Sequence, residues 1–418
     1  MNVCVQGLWH LGSVTAACLA EAGHHVIGLD HDIATINGLR SANAPIAEPG
    51  LDALLADNLK RLHFTTDVAA VKDVDVLWVT YDTPVDADDR ADVEFVVGKV
   101  EQVLPHLRAG ALVIVSSQLP VGSTARFARP GLELACSPEN LRLGKALEVF
   151  QQPDRVVVGV RTERARELVA ELLAPITSRI EWMSIESAEM TKHAINAFLA
   201  LSVTFANELA TICERVGADA KEVERGLKTE SRIGPKAYLG PGAAFAGGTL
   251  ARDIAFLSSL AEKHHLVQPL IAAVRPSNEA HKKWAQRRLV DRLGDLKGKT
   301  IAVWGLTYKP GTDTLRRSAA VELCVDLIAA GAKVRAWDPE VKTAPGLAVE
   351  LAPDAIAAVR GASALVIATE WPQLREIDMA AALAAMERPL VLDANRFLAK
   401  QIGAAEYFAV GVPSHDDR

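Results

Sequence analysis

The sequence predicts an α/β protein in which two doubly wound parallel-sheet domains are joined by a central helical region. Three observations carry this expectation. Short apolar runs alternate with helical patterns at both ends of the chain, the order that crossover-linked parallel strands require. The chain opens on a strand, a glycine turn, a helix and a second strand that ends in an acid. Between the two ends lies a long helical pattern, Glu186–Val216, almost wholly apolar after Lys192. The domains expected are 1–180, 181–292 and 293–418, the last set off by the polar, glycine-containing linker Leu293–Lys299.

Composition narrows the class. The 418 residues are half apolar and 23% charged, as in an ordinary globular protein. A net charge of −7 without any basic stripe excludes a nucleic-acid partner, which needs concentrated positive charge. No apolar run is read as reaching the ~20 residues that cross a bilayer. The N-terminus enters a strand directly, without a signal-peptide layout. Five scattered cysteines lack metal-ligand spacing, so a reducing, cytoplasmic setting without a metal site is expected.

Taken in order, Asn2–Gln6 is an apolar strand, Gly7–Gly12 a turn, and the run to Ala22 a helix. The strand His25–Leu29 follows and ends in Asp30, 23 residues after Gly7. This is the dinucleotide-binding, Rossmann-like signature. Asp30 would accept the adenosine ribose hydroxyls and repel a 2′-phosphate, which selects NAD over NADP. Trp9 stands where the second glycine of the fingerprint usually lies, so its ring must turn aside or the cofactor must be displaced. The other reading of this unit is a Rossmann-like domain that no longer binds NAD. Further strands are expected at 74–80, 111–117, 300–306, 333–337, 364–369 and 389–393, with helices over 253–267 and 270–292. The apolar helix around Lys192–Leu209 is hard to cover within one chain, which points to a homodimer through the helical region.

Residues 231–253, with Gly234, Gly240, Pro241, Gly242, Gly247 and Gly248, can continue neither helix nor strand. Such a loop exposes backbone N–H groups to an anionic ligand, and Asp253 closes it where it can cap the next helix. The loop resembles the P-G-x-G-F-G-G-S-C-F-P-K-D loop of the UDP-glucose/GDP-mannose dehydrogenase family. Further matches follow in family order: Thr83-Pro84; Ser117–Gly122 against S-T-V-P-V-G; Ser137–Gly144 against N-P-E-F-L-x-E-G; Lys192 and Asn196 in K-x-x-x-N. In the last third, Tyr308–Ser318 is similar to F-K-P-x-T-D-D-x-R-E-S, and Asp393–Arg396 to D-x-R-N. The resemblance runs from Gly7 to about Phe397.

What the resemblance implies is an NAD-dependent enzyme that oxidises a nucleotide-diphosphate sugar at a primary alcohol twice, giving a uronic acid. It places the cofactor against Gly7, Trp9, Leu11, Gly12, Asp30, Thr83, Pro84, Gln118 and Arg316. It places the nucleotide sugar against Glu139, Leu141, Lys192, Asn196, Arg232, Tyr238, Gly242, Phe245, Gly247, Tyr308, Lys309 and Asn395. Catalysis falls to Lys192, Asn196, Asp253 and Glu139, with Gln118 where the family has a water-positioning threonine. Arg232 stands where the family reaches into the neighbouring subunit. Four departures cluster on the catalytic side. The family's nucleophilic cysteine falls on Thr249, a second glutamate on Leu143, the threonine on Gln118, and the substrate arginine on Asn395. A hydroxyl is a far weaker acid than a thiol at ~8.5, so the thioester route of the second oxidation is closed. One two-electron oxidation, or oxidation at another carbon, is therefore expected. The rival from another class is a catalytically silent nucleotide-sugar binding protein.

Overall fold

A computed structural model describes residues 1–84, 86, 91–246 and 248–413. By its contacts the chain divides into two compact units, Met1–Ile195 and Asn196–Arg418. The first unit is built on β1 (Asn2–Gln6), β2 (His25–Leu29), β3 (Leu62–Thr65), β4 (Val76–Val79), β5 (Leu112–Val115), β6 (Glu133–Cys136), β7 (Val156–Val160) and β8 (Ile180–Met183). They form one sheet in the order β3-β2-β1-β4-β5-β6-β7-β8, parallel except where β7 runs against β6.

The second unit carries β9 (Thr300–Trp304), β10 (Lys333–Trp337), β11 (Glu350–Leu351), β12 (Ala364–Ile367), β13 (Leu390–Asp393) and β14 (Glu406–Phe408). Its sheet is parallel throughout, in the order β11-β10-β9-β12-β13-β14. Both sheets reverse strand order at their first strand, between β1 and β4 and between β9 and β12. Ligands of doubly wound sheets bind at the carboxyl ends of the strands beside that reversal. The central strands are buried on both faces, which is why they read as unbroken apolar runs.

The two reversals are built alike. Gly7 (φ 94°) and Gly305 (φ 89°) each turn the chain after the first strand with a backbone that a side chain would strain. The next residue's N–H, Leu8 or Leu306, donates to a buried carboxylate at the end of the second strand, Asp30 at 2.6 Å or Asp338 at 2.7 Å. Ser13 and Ser318 then donate to the carbonyls of Leu8 and Leu306.

Three expectations change on the structure. The helix after the glycine loop begins at Thr249, not at Asp253, because Gly248 (φ 111°) ends the loop. Asp253 is therefore a fully buried residue of the helix Thr249–Lys263 and not its cap. The helical run expected over 270–292 is two helices, Pro269–Lys282 and Trp284–Leu293. The long helix Ile185–Val216 does have the length and composition to cross a bilayer, with an 18-residue window of mean hydropathy 1.4. Core helices pass the same test, and Glu189, His193, Asn196, Asn207 and Glu214 on this one are buried and hydrogen-bonded to protein groups.

Candidate active site

In the first unit the turn after β1 is closed to side chains. A Cβ at Gly12 would lie 1.8 Å from the Gly7 carbonyl, and one at Gly7 2.7 Å from the Tyr81 ring. The turn therefore packs tightly against the start of its own helix and against Tyr81, with Leu11 buried. Trp9 precedes the helix His10–Glu21 and is 48% exposed, so its ring stands out towards solvent. Asp30 accepts from Leu8 N–H at 2.6 Å and Asp32 N–H at 2.9 Å, and His31 lies 3.1 Å away. Buried Thr83 donates to the Gln118 carbonyl at 2.8 Å and ties the two expected cofactor segments together, with Pro84 exposed beside it.

The same unit joins Lys192 to Glu139. The Lys192 ammonium donates to the Glu139 carbonyl at 2.7 Å and lies 3.2 Å from its carboxylate. The other oxygen of that carboxylate accepts from Leu141 N–H at 2.8 Å. Leu141 is half-buried, its side chain packed against the core of the unit. One buried carboxylate here escaped sequence reasoning. Glu48 accepts from Gly144 and Ala146 N–H and from His10, at 2.8–2.9 Å, fastening the segment after Glu139 to the first turn. Burial pushes its carboxyl up, but these three donors together bring it below the usual range.

In the second unit Asn196 donates to the buried carboxylate of Asp253. Thr249 is exposed at the start of the same helix, one turn before Asp253 and on its face. The loop ahead of it is held by amides and an imidazole. Asn207 accepts from Gly242 N–H at 3.0 Å, His281 donates to the Gly242 carbonyl at 2.8 Å, and Asn278 brackets Phe245 through both its N–H and its carbonyl. Burial holds His281 below the ordinary imidazole range, so it stays neutral in this role. Phe245 itself packs into a small core with Ile254 and Val274.

Asn395 accepts from Ala243 N–H at 2.7 Å, so close that a Cβ at Gly242 would lie 2.1 Å from its carbonyl oxygen. It thus clamps the loop. Arg396 (φ 60°) turns to Asp219, with contacts at 2.8 and 3.0 Å. Tyr308 is exposed, and its hydroxyl would stand 3.6 Å from a side chain placed at Gly248. Lys309 and Arg316 follow it on the same segment after β9. Arg232 and Tyr238 are exposed, Arg232 paired with Glu230 at 2.9 Å. Gly247 lies outside the described residues.

No thiol takes the place of the expected nucleophile. All five cysteines are unbridged and buried, and burial pushes every thiol up, Cys18 and Cys324 to about 12. Among the described residues no group of three or more His, Cys, Asp or Glu side chains is arranged to hold a metal ion.

Family models match along the chain. The NAD-binding domain of the UDP-glucose/GDP-mannose dehydrogenase family covers residues 1–177, its central domain 186–280 and its UDP-binding domain 302–400. The UDP-glucose 6-dehydrogenase of Pseudomonas aeruginosa is 35% identical over 96% of this chain and 94% of its own. A UDP-glucose dehydrogenase structure from Pyrobaculum islandicum superposes with a TM-score of 0.88 at 31% identity, covering 99% of this chain and 98% of that one. The UDP-D-ManNAc dehydrogenase of Pyrococcus horikoshii gives 0.87 at 26% identity, over 98% of this chain and 99% of that one. With all three domain models matched along its length, the chain belongs to the UDP-glucose/GDP-mannose dehydrogenase family.

Proposed function

We propose that this protein is an NAD-dependent dehydrogenase of a nucleotide-diphosphate sugar that stops after one two-electron oxidation, or acts at an atypical carbon. The observation that carries the reading is the exposed Thr249 one turn before the buried Asp253–Asn196 pair, in a chain whose five thiols are all buried. Its functional parts are 1–180 for the cofactor, 181–292 for chemistry and assembly, and 293–418 for the nucleotide, in a cytoplasmic setting. Recording NADH per sugar across UDP-, GDP- and TDP-sugars tests it. Rapid formation of uronic acid with two NADH would overturn it, and no NADH from any of them would favour a silent binding protein.

NAD, when bound, supplies the hydride acceptor. The residues present suit it: Gly7 and Gly12 allow the tight turn at the end of the first strand, Trp9 stands aside, and Asp30 retains acceptor capacity beyond the N–H groups it already holds. The Lys192 ammonium stabilises the alkoxide that develops as the sugar hydroxyl loses its proton. Asp253 takes that proton through water, and Asn196 fixes the orientation of the carboxylate. Glu139 holds Lys192 in place through its carbonyl and carboxylate. Asn395 and Gly242 shape the loop that wraps the sugar nucleotide, with Tyr308 and Lys309 on the nucleotide side.

Asp30 sets the cofactor preference. A 2′-phosphate beside this buried carboxylate meets like-charge repulsion, so NAD is expected to bind at least about tenfold tighter than NADP. Asp30→Asn should narrow that ratio. Calorimetry that finds equal affinities in the wild type would contradict the assignment of Asp30.

Assembly follows from the long helix. Phe198, Phe205 and Ile212, seven residues apart, are 65%, 48% and 58% exposed and form one apolar stripe. Burying each contributes about 1.5–3 kcal/mol, and in a two-fold dimer each counts twice. Light scattering at micromolar concentration should give a dimer, and Phe205→Glu should weaken it by about 100-fold or more. A wild-type monomer under these conditions would count against the reading.

A further inference from the structure

The long helix carries a buried carboxylate, Glu189, that the chemistry above leaves without a task. Glu189, three residues before Lys192, accepts from Gly122 N–H at 2.6 Å and from Thr124 N–H at 2.8 Å. One turn on, buried His193 donates to the Leu119 carbonyl at 3.0 Å. The helix therefore grips the segment that follows Gln118 at both ends, around the left-handed turn at Gly122 (φ 92°).

Behind that segment lies a cavity of about 20 Å³, lined among others by Ser117, Gln118, Thr124, Glu189 and Lys192. Two buried hydroxyls there, Ser117 Oγ and Thr124 Oγ1, have no oxygen or nitrogen partner among the described residues. The Cys136 thiol beside Thr124 is only a weak one. Buried hydroxyls left unpaired are costly, and native interiors avoid them. A water needs roughly 10–15 Å³ and two to four polar partners; this cavity has the volume, and Ser117, Thr124 and Glu189 are among its lining residues. The count of donors and acceptors also closes. A carboxylate offers about four acceptor sites, of which the two amides use two. A water can accept from both hydroxyls and donate to Glu189.

We propose that this cavity is a built water site, with one water bound by Ser117, Thr124 and Glu189. Glu189 is then a positioning residue, which through this water and the two amides fixes Gln118 and the neighbouring Lys192. Only the kinetic consequence rests on the dehydrogenase reading; the water site does not.

The two arms of the test separate accordingly. Magnetic relaxation dispersion of water counts long-lived buried waters without any substrate. Thr124→Val keeps the side-chain shape and should remove one such water, with circular dichroism unchanged. An unchanged dispersion amplitude would overturn the site. In the kinetic arm, Glu189→Gln sets an amide NH2 against a backbone N–H, and kcat for NADH formation should fall about tenfold or more. KM for NAD and for the nucleotide sugar should stay within about twofold, and Glu189→Asp should restore part of the rate. A parallel loss of kcat and rise of KM, without rescue by Asp, would overturn the positioning role. If the wild type turns over no nucleotide sugar, the dehydrogenase reading and the positioning role fall together. The loss of one water in Thr124→Val would still uphold the site.

Discussion

Lys192→Ala is expected to cut kcat/KM for NADH formation by about 100- to 1,000-fold, with the fold intact by circular dichroism. In the proposed mechanism the ammonium is the charge that meets the developing alkoxide, and its removal also strands a carboxylate. Glu139 would lose the ammonium beside its carboxylate and keep the Leu141 N–H, leaving a part-buried negative charge where negative charge must develop. The companion variant discriminates between these effects. Glu139→Gln leaves Lys192 anchored through the backbone, because its bond to the Glu139 carbonyl at 2.7 Å does not depend on the side chain. Its loss should therefore be the smaller, by at least about tenfold. Equal losses in the two variants would mean that the pair acts as one structural unit and that Lys192 has no separate role at the oxygen.

How much of this was legible in the sequence depends on where each residue finds its partner. Gly7, Gly12 and Asp30 announced themselves because the first strand, turn and acid sit at their expected spacing. Lys192 and Asn196 did so because polar residues inside an apolar helix need a reason to be buried. Glu48 and Glu189 gave no such signal. Apart from His10 beside Glu48, their partners are backbone N–H groups 65 to 98 residues away, at Gly122, Thr124, Gly144 and Ala146, and a backbone donor leaves no mark on residue type. Asp253 was misplaced for a local reason: the apolar period becomes visible only from Ile254, whereas Gly248 sets the true start of the helix. The break at Lys283 has no glycine or proline to mark it, while Pro276 sits inside a continuous helix. The duplicated turns were hidden too. Gly7 to Asp30 spans 23 residues and Gly305 to Asp338 spans 33, so no fixed period exists to be found.

Thr249→Cys is expected to raise the yield from about one to about two NADH per sugar and to turn the product into the acid. The second oxidation needs an aldehyde carbon made ready to lose hydride again. A thiolate does this by adding to the carbonyl, giving a thiohemiacetal; after oxidation the thioester is hydrolysed by water, which returns the thiol. Thr249 cannot follow that path at neutral pH, because its hydroxyl stays protonated. The position itself is well suited to a thiol. It is exposed, it opens the helix Thr249–Lys263 directly after Gly248, and helix N-termini lower thiol pKa values. Thr249→Ser keeps a hydroxyl there and should stay at about one NADH, which separates the effect of the thiol from that of the smaller side chain. Mass spectrometry of the product decides the matter. Aldehyde, its hydrate or a keto-sugar is expected from the wild type and the Ser variant, and uronic acid from the Cys variant. Uronic acid from the wild type would mean that an activated water, not a covalent thioester, carries the second oxidation. A Cys variant that stays at one NADH would instead place the oxidised carbon away from residue 249.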